Sequence, residues 1–119
     1  MNLVYICSPL RGDIERNISN AHSYYRYAVE LGAIPIAPHT IYTNYLSDLE
    51  PSERRHGLMI GLEILLRCDE VWVLGSEITE GMEAEIKLAQ KRGIPIYQIH
   101  APENILCSCN IAERMCLMC

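Results

Sequence analysis

The sequence predicts a single three-layer α/β domain of Rossmann or flavodoxin type, with a parallel sheet of about four strands in the order 2-1-3-4. Three observations carry that prediction. Short β-branched and aromatic runs alternate with longer stretches of helical periodicity, the pattern of strands joined by crossover helices. Proline or glycine closes most of the runs, which fixes where each element stops. A chain of 119 residues, 50% hydrophobic and 21% charged, suits one modest core and is too short for two.

The elements follow in order. LVYIC, Leu3 to Cys7, reads as a buried strand that enters a loop at Ser8-Pro9. From Ile14 the apolar positions Ile14, Ile18, Ala21, Tyr25 and Ala28 recur at helical spacing until Leu31-Gly32 ends the helix. AIPIAP, Ala33 to Pro38, is the second strand. HTIYTNYLSDLEPS is polar, aromatic and weakly periodic, which predicts a loop with at most one helical turn. Pro51-Ser52 starts a third periodic stretch, Glu53 to Arg67. EVWVL, Glu70 to Leu74, is the third strand, a helix over Ile78 to Ala89 follows, and Gly93 precedes IPIYQI, the fourth strand. Right-handed crossovers make 2-1-3-4 the simplest order. Residues 101–119 lie outside the sheet as a cysteine-rich tail.

Composition narrows the function classes. Net charge is −5 and the basic residues are scattered, so a long nucleic acid is not an expected partner. No apolar run reaches the roughly 20 residues that span a bilayer, and MNLVYICSPLRGD lacks the charge and hydrophobic pattern of a secretory leader. A cytoplasmic protein with no membrane contact is expected. Six cysteines in that compartment argue for free thiols or metal ligands rather than disulfides.

One residue conflicts with its own helix. At about 100° per residue, Met82, Ala84, Ile86, Leu88 and Ala89 share an apolar arc, and Glu83, Lys87, Gln90 and Lys91 lie opposite. Glu85 falls inside the apolar arc. A carboxylate there is costly unless it is paired, protonated or lining a cavity. In a doubly wound sheet ligands bind beyond the carboxyl ends of the strands where strand order reverses, which brings Ser8 to Asp13 and Gly75 to Gly81 to the same crevice as Glu85. The amino end of the Glu85 helix suits an anionic group, and Gly81 permits close approach there. The competing reading of Glu85 is a buried carboxylate paired with Arg11 or with backbone groups.

YICSPLRGD, CDEVWVLGSEITEGMEAEIKLA and GIPI together resemble the nucleoside 2-deoxyribosyltransferase superfamily. The resemblance is in particular to a small phage and bacterial branch of uncharacterised proteins within it, and the superfamily includes the deoxynucleoside monophosphate N-glycosidases. The resemblance covers about Leu3 to Ile99. It implies that Glu85 is the nucleophile that attacks the anomeric carbon and that Tyr5 orients it. It also implies that Ser8, Pro9, Arg11 and Gly12 surround sugar and base, and that Thr79, Gly81 and Met82 hold a 5′-hydroxyl or 5′-phosphate. No cofactor is implied; the partner is a nucleoside or nucleotide, in a homodimer or higher homo-oligomer whose subunits complete each other's sites. Leu58, Ile60, Leu62, Ile64, Leu65 and Leu66 ring their helix with apolar surface, which nominates it for the subunit contact.

The chain departs from that family at one place. An aspartate before the third strand aligns here with Gly61; Glu63 sits beside Arg67 on the polar side, leaving Asp48 or a second subunit to act in its stead. A protein without that acid could instead be a non-catalytic binder of a nucleotide or an ADP-ribose-like ligand. Two further candidates have ordinary alternatives. Asn17 is a substrate contact or a cap, and His39 a base-binding or proton-transfer group or a plain loop histidine. In the tail, Cys107, Cys109, Cys116 and Cys119 have spacings that can close a zinc site, but the gap is short and no glycine knuckle is present, so reduced thiols are favoured. Cys7 and Cys68 read as small buried hydrophobes.

Overall fold

In the computed structural model, which describes residues 1–10, 12–75 and 77–100, four parallel strands form one sheet in the order β2-β1-β3-β4. The elements run β1 (Leu3–Cys7), α1 (Ile14–Glu30), β2 (Ile34–Ile36), α2 (His39–Tyr42), α3 (Pro51–Leu65), β3 (Glu70–Val73), α4 (Glu80–Arg92) and β4 (Ile96–Gln98). The expected α/β class and strand order are those observed. The tail with its four cysteines, and with it the zinc reading, lies outside the described residues.

Strand alternation divides the core into two layers. Val4, Ile6, Trp72 and Leu74 pack with Tyr24, Tyr27 and Ala28 of α1 on one face. Tyr5, Cys7, Val71 and Val73 pack with Leu65, Met82 and Ala89 on the other. The chain leaves β1 in one direction to reach β2 and in the other to reach β3, so right-handed crossovers require helices on opposite faces. Tyr5 and Cys7, two residues apart, therefore share the face toward α3 and α4.

Several boundaries and faces differ from the sequence expectation for physical reasons. Helix α3 begins at Pro51, because proline suits the first helical turn. The buried residues of α1 are Ala21, Tyr24, Tyr27 and Ala28, so the stripe is rotated from the one through Ile14 and Ile18. The run Tyr24-Tyr25-Arg26-Tyr27 allows both settings, and the packed core selects the first. Tyr25 instead uses its hydroxyl, which accepts from Ala37 N–H at 2.6 Å and pins the end of β2 to α1.

Helix α3 is the larger surprise. Its buried residues are Gly57, Gly61 and Leu65, spaced by four, so the inward face of the helix is largely glycine while Leu58 and Met59 are exposed. A Cβ on Gly57 would lie 2.7 Å from the Tyr42 ring, and one on Gly61 would lie 3.2 Å from the Tyr5 hydroxyl. The absent side chains let α3 approach both tyrosines. At the strand ends, Gly75 has φ +110°, and a Cβ there would come within 2.8 Å of Pro9. The two loops at the reversal point are thus packed edge to edge.

Candidate functional site

A cavity of about 230 Å³ opens at the carboxyl end of β1, between the 39–48 segment, α3 and the start of α4. Its floor is the pair Tyr5 and Glu85. Strand β1 sends the Tyr5 side chain toward α4, and Glu85, in the second turn of that helix, meets it there. The Tyr5 hydroxyl donates to Glu85 Oε2. Cys7, next along the same strand face, donates its thiol to Glu85 Oε1 at 3.5 Å. Each carboxyl oxygen thus has one donor from β1.

Burial raises the Glu85 carboxyl to about 7, against the pull of the two donors, which favour the charged form. Near neutral pH the group exists in both protonation states. Burial and the adjacent carboxylate push the Tyr5 phenol and the Cys7 thiol upward, so both stay protonated and both act as donors. Tyr42, whose ring covers Gly57, is raised to about 12 by burial and by Glu85 and Asp48.

The wall toward β2 carries Ser8 and His39. Both are buried, with the Ser8 hydroxyl and His39 Nε2 3.5 Å apart. Burial lowers His39 to about 4, so it is a neutral imidazole at physiological pH, able to donate from one nitrogen and accept at the other. Its place is set by the Tyr25 anchor two residues earlier and by Thr43, whose hydroxyl donates to the His39 carbonyl at 2.6 Å.

Helix α4 contributes its first turn. Thr79 caps it, accepting from Met82 N–H at 3.3 Å through its hydroxyl. Thr79, Gly81 and Met82 line the cavity, as does Glu80. At the mouth, Asp48 lies 4.0 Å from Arg54, and the Ser47 N–H donates to Glu53 at 2.9 Å, which folds the loop onto α3.

Of the residues that the sequence points to, the cavity brings together Tyr5, Ser8, His39, Thr79, Gly81, Met82 and Glu85. Pro9 is buried against Gly75 instead, and Gly12 is exposed with φ +99°. Asn17 does not line the cavity; its side-chain amide donates to the Leu10 carbonyl at 3.0 Å and secures the loop after β1. Arg11 lies outside the described residues. Glu63 faces solvent, paired with Arg67 at 3.1 Å. Ala84, placed on the apolar arc by periodicity, is exposed and borders the cavity. Sequence reasoning missed Tyr42, Arg54 and Gly57. Only the spacing of Gly57 and Gly61, one helical turn apart, signals a close approach of α3.

The arrangement offers a partly ionised carboxylate fixed by a phenol, beside a neutral imidazole and a helix amino end. That set can attack, or hold, an electron-poor carbon while polar groups grip the rest of a small molecule. A comparison of folds finds the 2-deoxyribosyltransferase from the psychrotolerant bacterium Bacillus psychrosaccharolyticus, with a TM-score of 0.60 over 82% of this chain and 71% of that one. Identity is 18%, so the likeness is one of fold. Among curated proteins nothing matches this chain. Residues 2–99 match a family described as a domain of unknown function, DUF7768, and to that family this α/β protein belongs.

Proposed function

We propose that the protein cleaves the N-glycosidic bond of a nucleoside or nucleoside 5′-monophosphate, as a deoxyribosyltransferase or an N-glycosidase, with Glu85 as nucleophile and Tyr5 as its orienting partner. The observation that carries this reading is the Glu85 carboxyl set into the cavity floor with the Tyr5 phenol on one oxygen. A Glu85 oxygen bonds to C1′ while the bond from C1′ to the base nitrogen breaks. The bonding pair leaves with the base, which takes up a proton. Water or a second base then attacks C1′ and releases the carboxylate, so one difficult displacement becomes two easier ones.

The other residues take roles consistent with their places. Ser8 and neutral His39 face the base. Thr79, Gly81 and Met82 receive the 5′ end at the amino terminus of α4. Asp48, whose side chain is 10% exposed, is the more enclosed of the two other carboxylates lining the cavity, and it stands in for the aspartate that Gly61 replaces. Gly61 also favours a second reading, a binder that holds a nucleotide or ADP-ribose-like ligand without cutting it. At about 230 Å³ the cavity is small for a ligand pocket, so a nucleoside-sized molecule fits this site better than a dinucleotide.

The test is chromatographic release of free base from deoxy- and ribonucleosides and their 5′-monophosphates, with and without a second base. Release from at least one substrate is expected, and exchange in the presence of the second base marks a transferase. No release from any, in folded protein, would leave the binder.

A homodimer or higher oligomer forms part of the same proposal. Leu58 (39% exposed) and Met59 (65%) lie on the outer side of α3, and the adjoining loop carries Tyr45 and Leu49, also exposed. Leu58 borders the cavity, so a second subunit on this strip would wall the site. Light scattering should give a multiple of the chain mass for the wild type and the monomer mass for Met59→Lys. A monomeric wild type would remove this part of the proposal.

A further inference from the structure

Cys7 is the buried group that the proposed reaction leaves without a role. It is fully enclosed, and its sulfur has two acceptors within reach: Glu85 Oε1 at 3.5 Å and the Met82 carbonyl at 3.9 Å. A side chain serving only as apolar filler would not need a donor aimed between a carboxylate and a helix carbonyl. Cys68 supplies the contrast: its thiol donates to the Ile64 carbonyl one turn back, near the end of α3, and it does not line the cavity.

We propose that Cys7 is a positioning residue for the Glu85 carboxylate, its thiol donating to Oε1 while Tyr5 holds Oε2, and turning to the Met82 carbonyl when the carboxylate loses its charge. The inference rests on the glycosyl-transfer reading for its use but not for its test.

The chemistry favours a thiol here. A nucleophile needs its rotamer fixed, yet every strong hydrogen bond to its oxygens withdraws the electron density it must give up. Thiols are weak donors, so Cys7 orients Oε1 at less cost to its basicity than a hydroxyl or amide donor would. When Oε1 bonds to C1′ it turns from a charged acceptor into an ester oxygen and holds a donor less well. A donor with no alternative would then be left unsatisfied in the core. The Met82 carbonyl supplies that alternative. The thiol itself stays protonated throughout, because burial and the neighbouring carboxylate both oppose its ionisation.

The remaining groups around Glu85 do not duplicate this contact. Tyr5 occupies the other oxygen, and Tyr42 and neutral His39 line the same cavity with no hydrogen bond to Glu85 among those described. Asp48 is opposed by Arg54 at the mouth, and Glu80 is exposed one turn before Glu85. Among the described residues Cys7 is the donor recorded on Oε1.

The experiment is a carbon-13 NMR titration of the Glu85 side-chain carboxyl in the full chain, assigned by its loss in Glu85→Gln. Removing the donor in Cys7→Ala should raise the midpoint by about 0.5–1 pH unit, because the charged form loses a partner. Cys7→Ser should bring it back to or below the wild-type value, and Cys68→Ala should leave it unmoved. Base release by Cys7→Ala should fall about three- to tenfold below the midpoint and recover at alkaline pH, as the ionised fraction recovers. Where Cys7→Ala does not fold, the infrared S–H stretch of the wild type serves. A band should shift as Glu85 titrates and stay fixed in Glu85→Gln. Equal midpoints in wild type and Cys7→Ala, or an S–H spectrum blind to Glu85, would overturn the proposal. If the titration behaves as described and no substrate releases base, the thiol positions a carboxylate that binds, and only the glycosyl-transfer reading fails.

Discussion

Replacing Glu85 by glutamine should abolish base release, with an expected loss of at least about three orders of magnitude in turnover. The substitution keeps the volume and one carbonyl oxygen, so the Tyr5 phenol retains an acceptor and the floor of the cavity keeps its shape. What disappears is the charge and the basic oxygen that the proposed reaction bonds to C1′. Ligand affinity, measured by calorimetry with a nucleoside or nucleotide bound by the wild type, should stay within a few-fold or rise, since an uncharged amide needs less solvation than a carboxylate in that place. Single-turnover base release by wild type and Glu85→Gln decides the matter. Rates within tenfold of each other would remove Glu85 from the chemistry.

The second large effect is on stability, and it has two opposed parts. Glu85 titrates near 7 in the fold against an ordinary value of 4.5. Between those values the native state keeps a proton that the unfolded chain has lost, so raising the pH from 4.5 to 7 favours unfolding. The loss is roughly 2–4 kcal/mol. His39 is lowered from 6.5 to about 4, so over that window the unfolded chain holds the extra proton and raising the pH favours the native state by a similar amount.

From about 4.5 to 6.5 the two contributions cancel, and above 6.5 only the Glu85 loss continues. Urea unfolding at half-unit pH steps should therefore show a rising curve for Glu85→Gln between 4 and 6.5, relative to wild type. It should show a falling curve for His39→Gln between 4.5 and 7. At pH 8 the gain in stability of Glu85→Gln over wild type should exceed its gain at pH 4 by roughly 2–4 kcal/mol. Three parallel curves would mean that neither side chain is held against its preferred charge state.

Much of the architecture was legible because it depends on local pattern. The alternation of apolar runs with helical periods is written residue by residue, and the strand order follows from handedness. Glu85 was legible for the opposite reason, as the one residue that broke its own helical pattern. The contacts of α3 were not. Its inner face is formed by Gly57, Gly61 and Leu65, and glycine carries no hydrophobic signal by which periodicity could find a buried face. Tyr42 was hidden for a related reason: its partner Gly57 is distant in sequence and has no side chain to suggest a match.

Pro9 and Asn17 illustrate the converse. Proximity to a strand end looks the same in sequence whether a residue meets a ligand or closes the fold. The structure gives Pro9 to Gly75 and Asn17 to the Leu10 carbonyl. His39 has no periodic context at all; the Tyr25 anchor on Ala37 and the Thr43 hydroxyl hold it at the cavity.

Both groups that grip Glu85 come from β1, a five-residue strand paired on either side by β2 and β3. An interior strand is among the last parts of a domain to open, since its amides exchange only when both neighbours let go. The two donors to Glu85 are therefore as durable as the sheet: heating should not displace Tyr5 or Cys7 ahead of the melt, and their loss and global unfolding become a single event.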